Sequence, residues 1–135
     1  MLDMSPGEGA RTVRDCLMHI ASVEWWYITR LEISLPDLPD DPFERLRTAR
    51  RLAAETLSDL PRDRLGGIYQ PSAFIAANAR VSNLWTARKV LRRIVDHERL
   101  HTRYIARVLA NFREVASRGV HKASRPAQSG GRSRA

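Results

Sequence analysis

The chain is predicted to be all-α. Three observations carry this: apolar residues recur at spacings of three and four along three long stretches, prolines and glycines punctuate the gaps between them, and no stretch reads convincingly as a strand. The 135 residues suffice for one core but not two, and a hydrophobic content of 43% can fill it.

The first helix is expected over about 11–33, with Val13, Leu17, Ile20, Tyr27 and Leu31 on one face and Thr12 or Ser5 as its cap. ISLPDLPDDP then ends it, because Pro36, Pro39 and Pro42 cannot continue a helix. The second helix is expected over 42–60, opening after Asp41 with Pro42 in its first turn and closed by Pro61. Its stripe is Phe43, Leu46, Ala49 or Arg50, Ala53 and Leu57. Residues 61–83 show no clear period and read as a long loop holding one short helical turn; loops of that length are often functional. The third helix is expected over 86–116, its inward face formed by Val90, Ile94, Glu98, His101, Ile105, Val108 and Phe112. Trp25, Trp26 and Trp85 read as packing residues.

Sliding the first helix onto the third by 74 positions matches Thr12, Arg14, Leu17, Ile20 and Glu24 with Thr86, Arg88, Leu91, Ile94 and Glu98. A bundle of two related helix pairs would show such a pattern, and would place another helix before the first.

The domain boundary is set at 116, with 117–135 as a disordered basic tail. From residue 113 onward, six cations against Glu114 supply +5 of the net +8. A segment of Arg, Ser, Gly and Ala has little to bury, and its contact with nucleic-acid phosphates would be weak and salt-dependent. No run of apolar residues is long enough to cross a membrane, the start MLDMSPGEGA lacks the order of a signal peptide, and Cys16 stands alone. A cytoplasmic protein is expected.

Chemistry concentrates in His97-Glu98-Arg99-Leu100-His101. Residues four apart share a helix face, so two imidazoles can each offer a nitrogen to one divalent ion. The same spacing occurs in satisfied core histidines, and the spacing alone leaves both readings open. HExxH is also a metalloprotease signature. That reading is disfavoured here: no strand offers a substrate edge, and the downstream His121 falls in the tail. The better third ligand is His19 on the first helix, which completes a three-histidine site if the two helices face each other and leaves positions for water or a thiolate. Glu24 occupies a core-spaced position. A buried carboxylate needs a partner, either a ligand histidine or an arginine such as Arg88 or Arg92. Glu24 and Glu98 are the candidates to orient the imidazoles from behind; no catalytic residue is assigned.

CLMHIASVEWWYITRL resembles the second-helix segment of DinB-like proteins, and LWTARKVLRRIVDHERLHTRYIARVL resembles their last helix, with its HxxxH pair. The resemblance runs from about Pro6 to Leu109. It implies an up-down-down-up four-helix bundle with a zinc or nickel ion on His19, His97 and His101. It further implies a metal-dependent S-transferase or isomerase that uses a low-molecular-weight thiol such as mycothiol, bacillithiol or glutathione. The family's first helix has no counterpart before residue 11, so a bundle of three helices completed by a homodimer is expected. The alternatives are a non-enzymatic metal- or partner-binding bundle and a basic nucleic-acid-binding protein.

Overall fold

The computed structural model describes residues 1–70 and 84–123, with side chains to residue 118. Four helices follow in order: α1 (Val13–Thr29), α2 (Pro42–Ser58), α3 (Arg62–Leu65) and α4 (Ala87–Ala123). The all-α expectation holds among the described residues.

Local chemistry fixes the start of each long helix. Thr12 caps α1 in a capping box: its hydroxyl accepts from the Asp15 amide, and Asp15 accepts from the Thr12 amide, each at 3.0 Å. Ser5 instead bonds to Gly7. Asp41 caps α2, accepting from the amides of Phe43 and Glu44 at 3.0 and 2.9 Å, with Pro42 as the first helical residue. The Thr86 hydroxyl accepts from the Lys89 amide at the head of α4. α1 ends at Thr29, short of 33, and Glu32 turns the chain away in the left-handed region at φ 56°.

The short helical turn expected after Pro61 is α3. Beyond it, Tyr69 and Trp85 form an antiparallel bridge through two 2.8 Å backbone bonds, an element without a signal in the sequence pattern. The centre of the expected loop, residues 71–83, lies outside the described residues. α4 runs past the expected end at 116, because no proline follows before Pro126 and Glu114 pairs with Arg118 one turn on. Of the expected tail, 117–123 is thus helical, and 124–135 lies outside the described residues.

Pairings between elements fix the helix directions. Ser22 meets Arg45 and Glu24 meets Arg50, so α1 and α2 run parallel. The backbone oxygen of Arg11 meets Tyr104, His19 meets His97, and Trp26 meets Trp85, so α4 runs antiparallel to α1. Parallel neighbours require a connection that travels back along the helix, and residues 30–41 supply it. The Trp25 indole donates to the Pro36 carbonyl at 2.9 Å, and Arg45 donates to the carbonyls of Leu38 and Pro39. The prolines that stop α1 also keep this strap extended.

The core gathers Ile28 and Leu31, Ala53 and Leu60, Tyr69, Trp85, and Ala87, Val90 and Ile94. Trp26, Tyr27 and Trp85 pack edge-on or tilted, with ring centroids 5.4–5.8 Å apart. Phe43, expected in the stripe of α2, is 47% exposed, since its neighbour Pro42 takes the inward position on the first turn; Pro42, Ala49 and Ala53 form the buried face instead. Phe112, placed on the inward face of α4, is also exposed.

One ion-pair node ties the three long helices. Arg50 of α2 donates through Nε to Glu24 of α1 at 2.8 and 3.1 Å, and its Nη2 lies 3.2 Å from Glu98 of α4. Glu24 is the one charged side chain that is buried among the described residues. Burial pushes its carboxyl above the ordinary value, against the opposing pull of Arg50. Removing one member of such a pair costs more than removing both. Arg50→Met should therefore destabilise by about 2–3 kcal/mol at neutral pH, below the usual cost of breaking a buried pair because Arg50 is half-exposed. Glu24→Met combined with Arg50→Met should recover part of that loss in urea unfolding; a double variant no more stable than Arg50→Met would contradict the pairing. In the core, Ile28→Ala should cost about 2–5 kcal/mol, whereas Phe43→Ala should cost under about 1 kcal/mol.

Candidate metal centre

His97 and His101 lie one turn apart on α4, with ring centroids 4.5 Å apart. Antiparallel packing brings His19 of α1 against both, at centroid distances of 4.9 and 4.8 Å. One ligating atom from each ring lies within 4.8 Å of the other two. The Nε2 atoms of His19 and His97 are 3.1 Å apart. Two nitrogens held at about 2.0–2.1 Å around one tetrahedral zinc would lie roughly 3.3 Å from each other, so this pair is near the spacing of two ligands. Without an ion, the same contact is a hydrogen bond between neutral tautomers. All three rings are half-buried, and Tyr27 meets the His97 ring edge-on at 6.3 Å.

The electrostatics keep the rings neutral. Burial, then the neighbouring imidazoles and Arg11, push His97 down to about 4. Burial and the Arg11 charge also lower His19 and His101. A neutral imidazole is the form that ligates a metal.

Glu24 and Glu98 make no hydrogen bond to the imidazoles among the described residues. The structure turns both onto Arg50, and the partner of Glu24 is neither Arg88 nor Arg92. The reason is reach: Arg50 projects from α2 between the two acids, whereas Arg92 lies near Asp96 on its own helix. Behind His101 opens a cleft of about 430 Å³. Leu100, Tyr104 and Arg107 of α4 form one wall, and Ala10, Arg11 and Cys16 the other. The Tyr104 hydroxyl donates to the Arg11 carbonyl at 2.9 Å and closes one end. Cys16 is fully buried, burial raises its thiol, and it stands outside the histidine cluster. The cleft and its arginines were invisible to periodicity, which registers apolar faces rather than the gaps between helices.

No family model, curated protein or solved structure matches the chain.

The lowered imidazoles have a consequence for stability. The unfolded chain takes up these protons near pH 6.5, but folded His97 resists them down to about 4. Between those values the unfolded state binds more protons, so stability must fall as pH falls. Metal-free protein should lose stability progressively from pH 6.5 toward 4, and His97→Gln should flatten that slope in urea melts read at several pH values. An unchanged slope would contradict the burial of His97.

Proposed function

We propose that the chain is a DinB-like metal-dependent protein in which His19, His97 and His101 hold one zinc or nickel ion. The observation that carries this is the convergence of three neutral imidazoles from two antiparallel helices. The directions of α1, α2 and α4 support the reading, since down, down, up is the order of the last three helices of an up-down-down-up bundle.

Three neutral protein ligands leave a position for an exogenous one, and the cleft beside His101 gives a small molecule access to it. The proposed reaction class is thiol-dependent S-transfer. A bound divalent ion supplies the activation, because coordination lowers the pKa of a thiol. The protein's own residues hold the ion, keep the imidazoles unprotonated through burial, and exclude water behind Tyr27 and the Trp26–Trp85 cluster. The open cleft favours this over a purely structural metal site, which would be closed. The setting is a reducing compartment, compatible with the buried free Cys16; no described helix is long and apolar enough to cross a membrane. A homodimer belongs to the same reading. Leu84, Leu91 and Val95 face solvent at the head of α4, and covering such surface is worth about 25 cal/mol per Å².

Purified protein should carry one divalent ion per chain by elemental analysis. His19→Ala, His97→Ala and His101→Ala should each lower its affinity at least about tenfold. His121→Ala should leave it unchanged, since that residue is roughly 30 Å further along α4 than His101. Full metal content in His19→Ala would refute the three-histidine site. A metal-loaded protein whose activity gains nothing from added thiol would refute the transferase assignment while leaving the site intact.

A further inference from the structure

The cleft beside His101 is rich in positive charge. Two guanidinium groups, Arg11 and Arg107, line it together with His101, and no carboxylate does among the described residues. Asp15 lies close enough to feel the Arg11 charge without forming an ion pair with it, and several other acids are engaged elsewhere. Glu24 and Glu98 are held by Arg50, Asp3 by Arg14, and Asp15 by the amide and hydroxyl of Thr12. Arg11 makes no ion pair among the described residues, and Arg107 makes only a 3.4 Å bond from Nε to the Arg103 carbonyl on its own helix. Arg11 is also close enough to disfavour protonation of all three imidazoles.

Three neutral imidazoles bring no negative charge to a divalent ion. A loaded site would therefore place the two positive charges of the ion in a cleft that already carries two guanidinium groups, and like charges repel. An anion arriving from solution relieves this. The planar fork of a guanidinium matches the two oxygens of a carboxylate. The remaining walls, Leu100, Tyr104, Ala10 and Cys16, are apolar or aromatic and suit an organic body rather than a bare inorganic ion.

We propose that this cleft binds a small organic carboxylate, its charge held by Arg11 and Arg107 and its donor atom directed at the histidine cluster. The inference rests on the metal reading above and adds the chemical class of the exogenous ligand. It selects an anionic thiol over a neutral one of similar size, and the choice is made by two arginines outside the ligand set.

Cobalt(II) tests it, because both the ion and a bound thiolate absorb visibly. The cobalt-loaded protein is titrated with mercaptoacetate and with mercaptoethanol, following the sulfur-to-cobalt charge-transfer band. The ratio of the two affinities is compared between the unaltered chain, Arg11→Gln and Arg107→Gln, which cancels the intrinsic difference in thiol acidity. The unaltered protein should favour mercaptoacetate by about tenfold more than either variant does, the scale of one charge-assisted contact. Raising the salt concentration should shrink that difference. The cobalt ligand-field absorption, present in all three proteins, shows that the site itself survives substitution. An equal ratio in all three would overturn the carboxylate cleft while leaving the metal site standing. A protein that takes up no cobalt would overturn the metal reading, and this inference with it.

Discussion

The guanidinium of Arg50 is the constraint around which the three long helices are arranged. It reaches from α2 to Glu24 on α1 and Glu98 on α4, and the Glu24 side chain is only 4% exposed. A buried carboxylate tolerates little displacement of its partner, so the contact fixes the axial position of each helix and not merely its proximity. Apolar packing alone would be less exacting. The faces contributed by Ala49, Ala53, Val90 and Ile94 can slide along a neighbour at modest cost, whereas a two-carboxylate fork has one register.

That register sets the chemistry of the histidine cluster. With Glu24 and Glu98 committed to Arg50, no carboxylate joins the imidazoles among the described residues, and the cluster is neutral where a carboxylate-backed site would be negative. Burial and the charge of Arg11 then keep the rings unprotonated. The helix starts serve the same end. Thr12 caps α1 one residue after Arg11, and Tyr104 pins the Arg11 carbonyl, so the rim of the cleft is tied to both helices that carry the histidines. The aromatic cluster of Trp26, Tyr27 and Trp85 closes the opposite side.

Much of this was legible in the sequence. Thr12 as one of two candidate caps, the start of α2 after Asp41, the proline stop after α1 and the single turn after Pro61 are local signals, each decided by few residues. Helix faces pair His97 with His101, but adding His19 depends on the first and last long helices facing each other, which the structure brings about. The repeat at an offset of 74 had a structural counterpart: Thr12 and Thr86 both cap, Ile20 and Ile94 are both buried, and Glu24 and Glu98 meet on one arginine. The partner of Glu24 was not legible, because Arg50 was weighed against Ala49 as a stripe residue and its reach depends on how α2 lies between its neighbours. Phe43 is misleading because it stands one position round the helix from Pro42, the residue that is buried on that turn. The extension of α4 to Ala123 is not legible in composition, which is that of a tail, although no proline stands before Pro126 to stop the helix.

The central claim is that the three imidazoles form one ligand set. X-ray absorption at the zinc edge, on protein loaded with one equivalent of zinc and no added thiol, tests it without any assay of activity. Scattering from three imidazole nitrogens at about 2.0–2.1 Å, with the remaining coordination from a light atom, is expected. Fewer than three imidazoles, or a sulfur at about 2.3 Å contributed by Cys16, would contradict it.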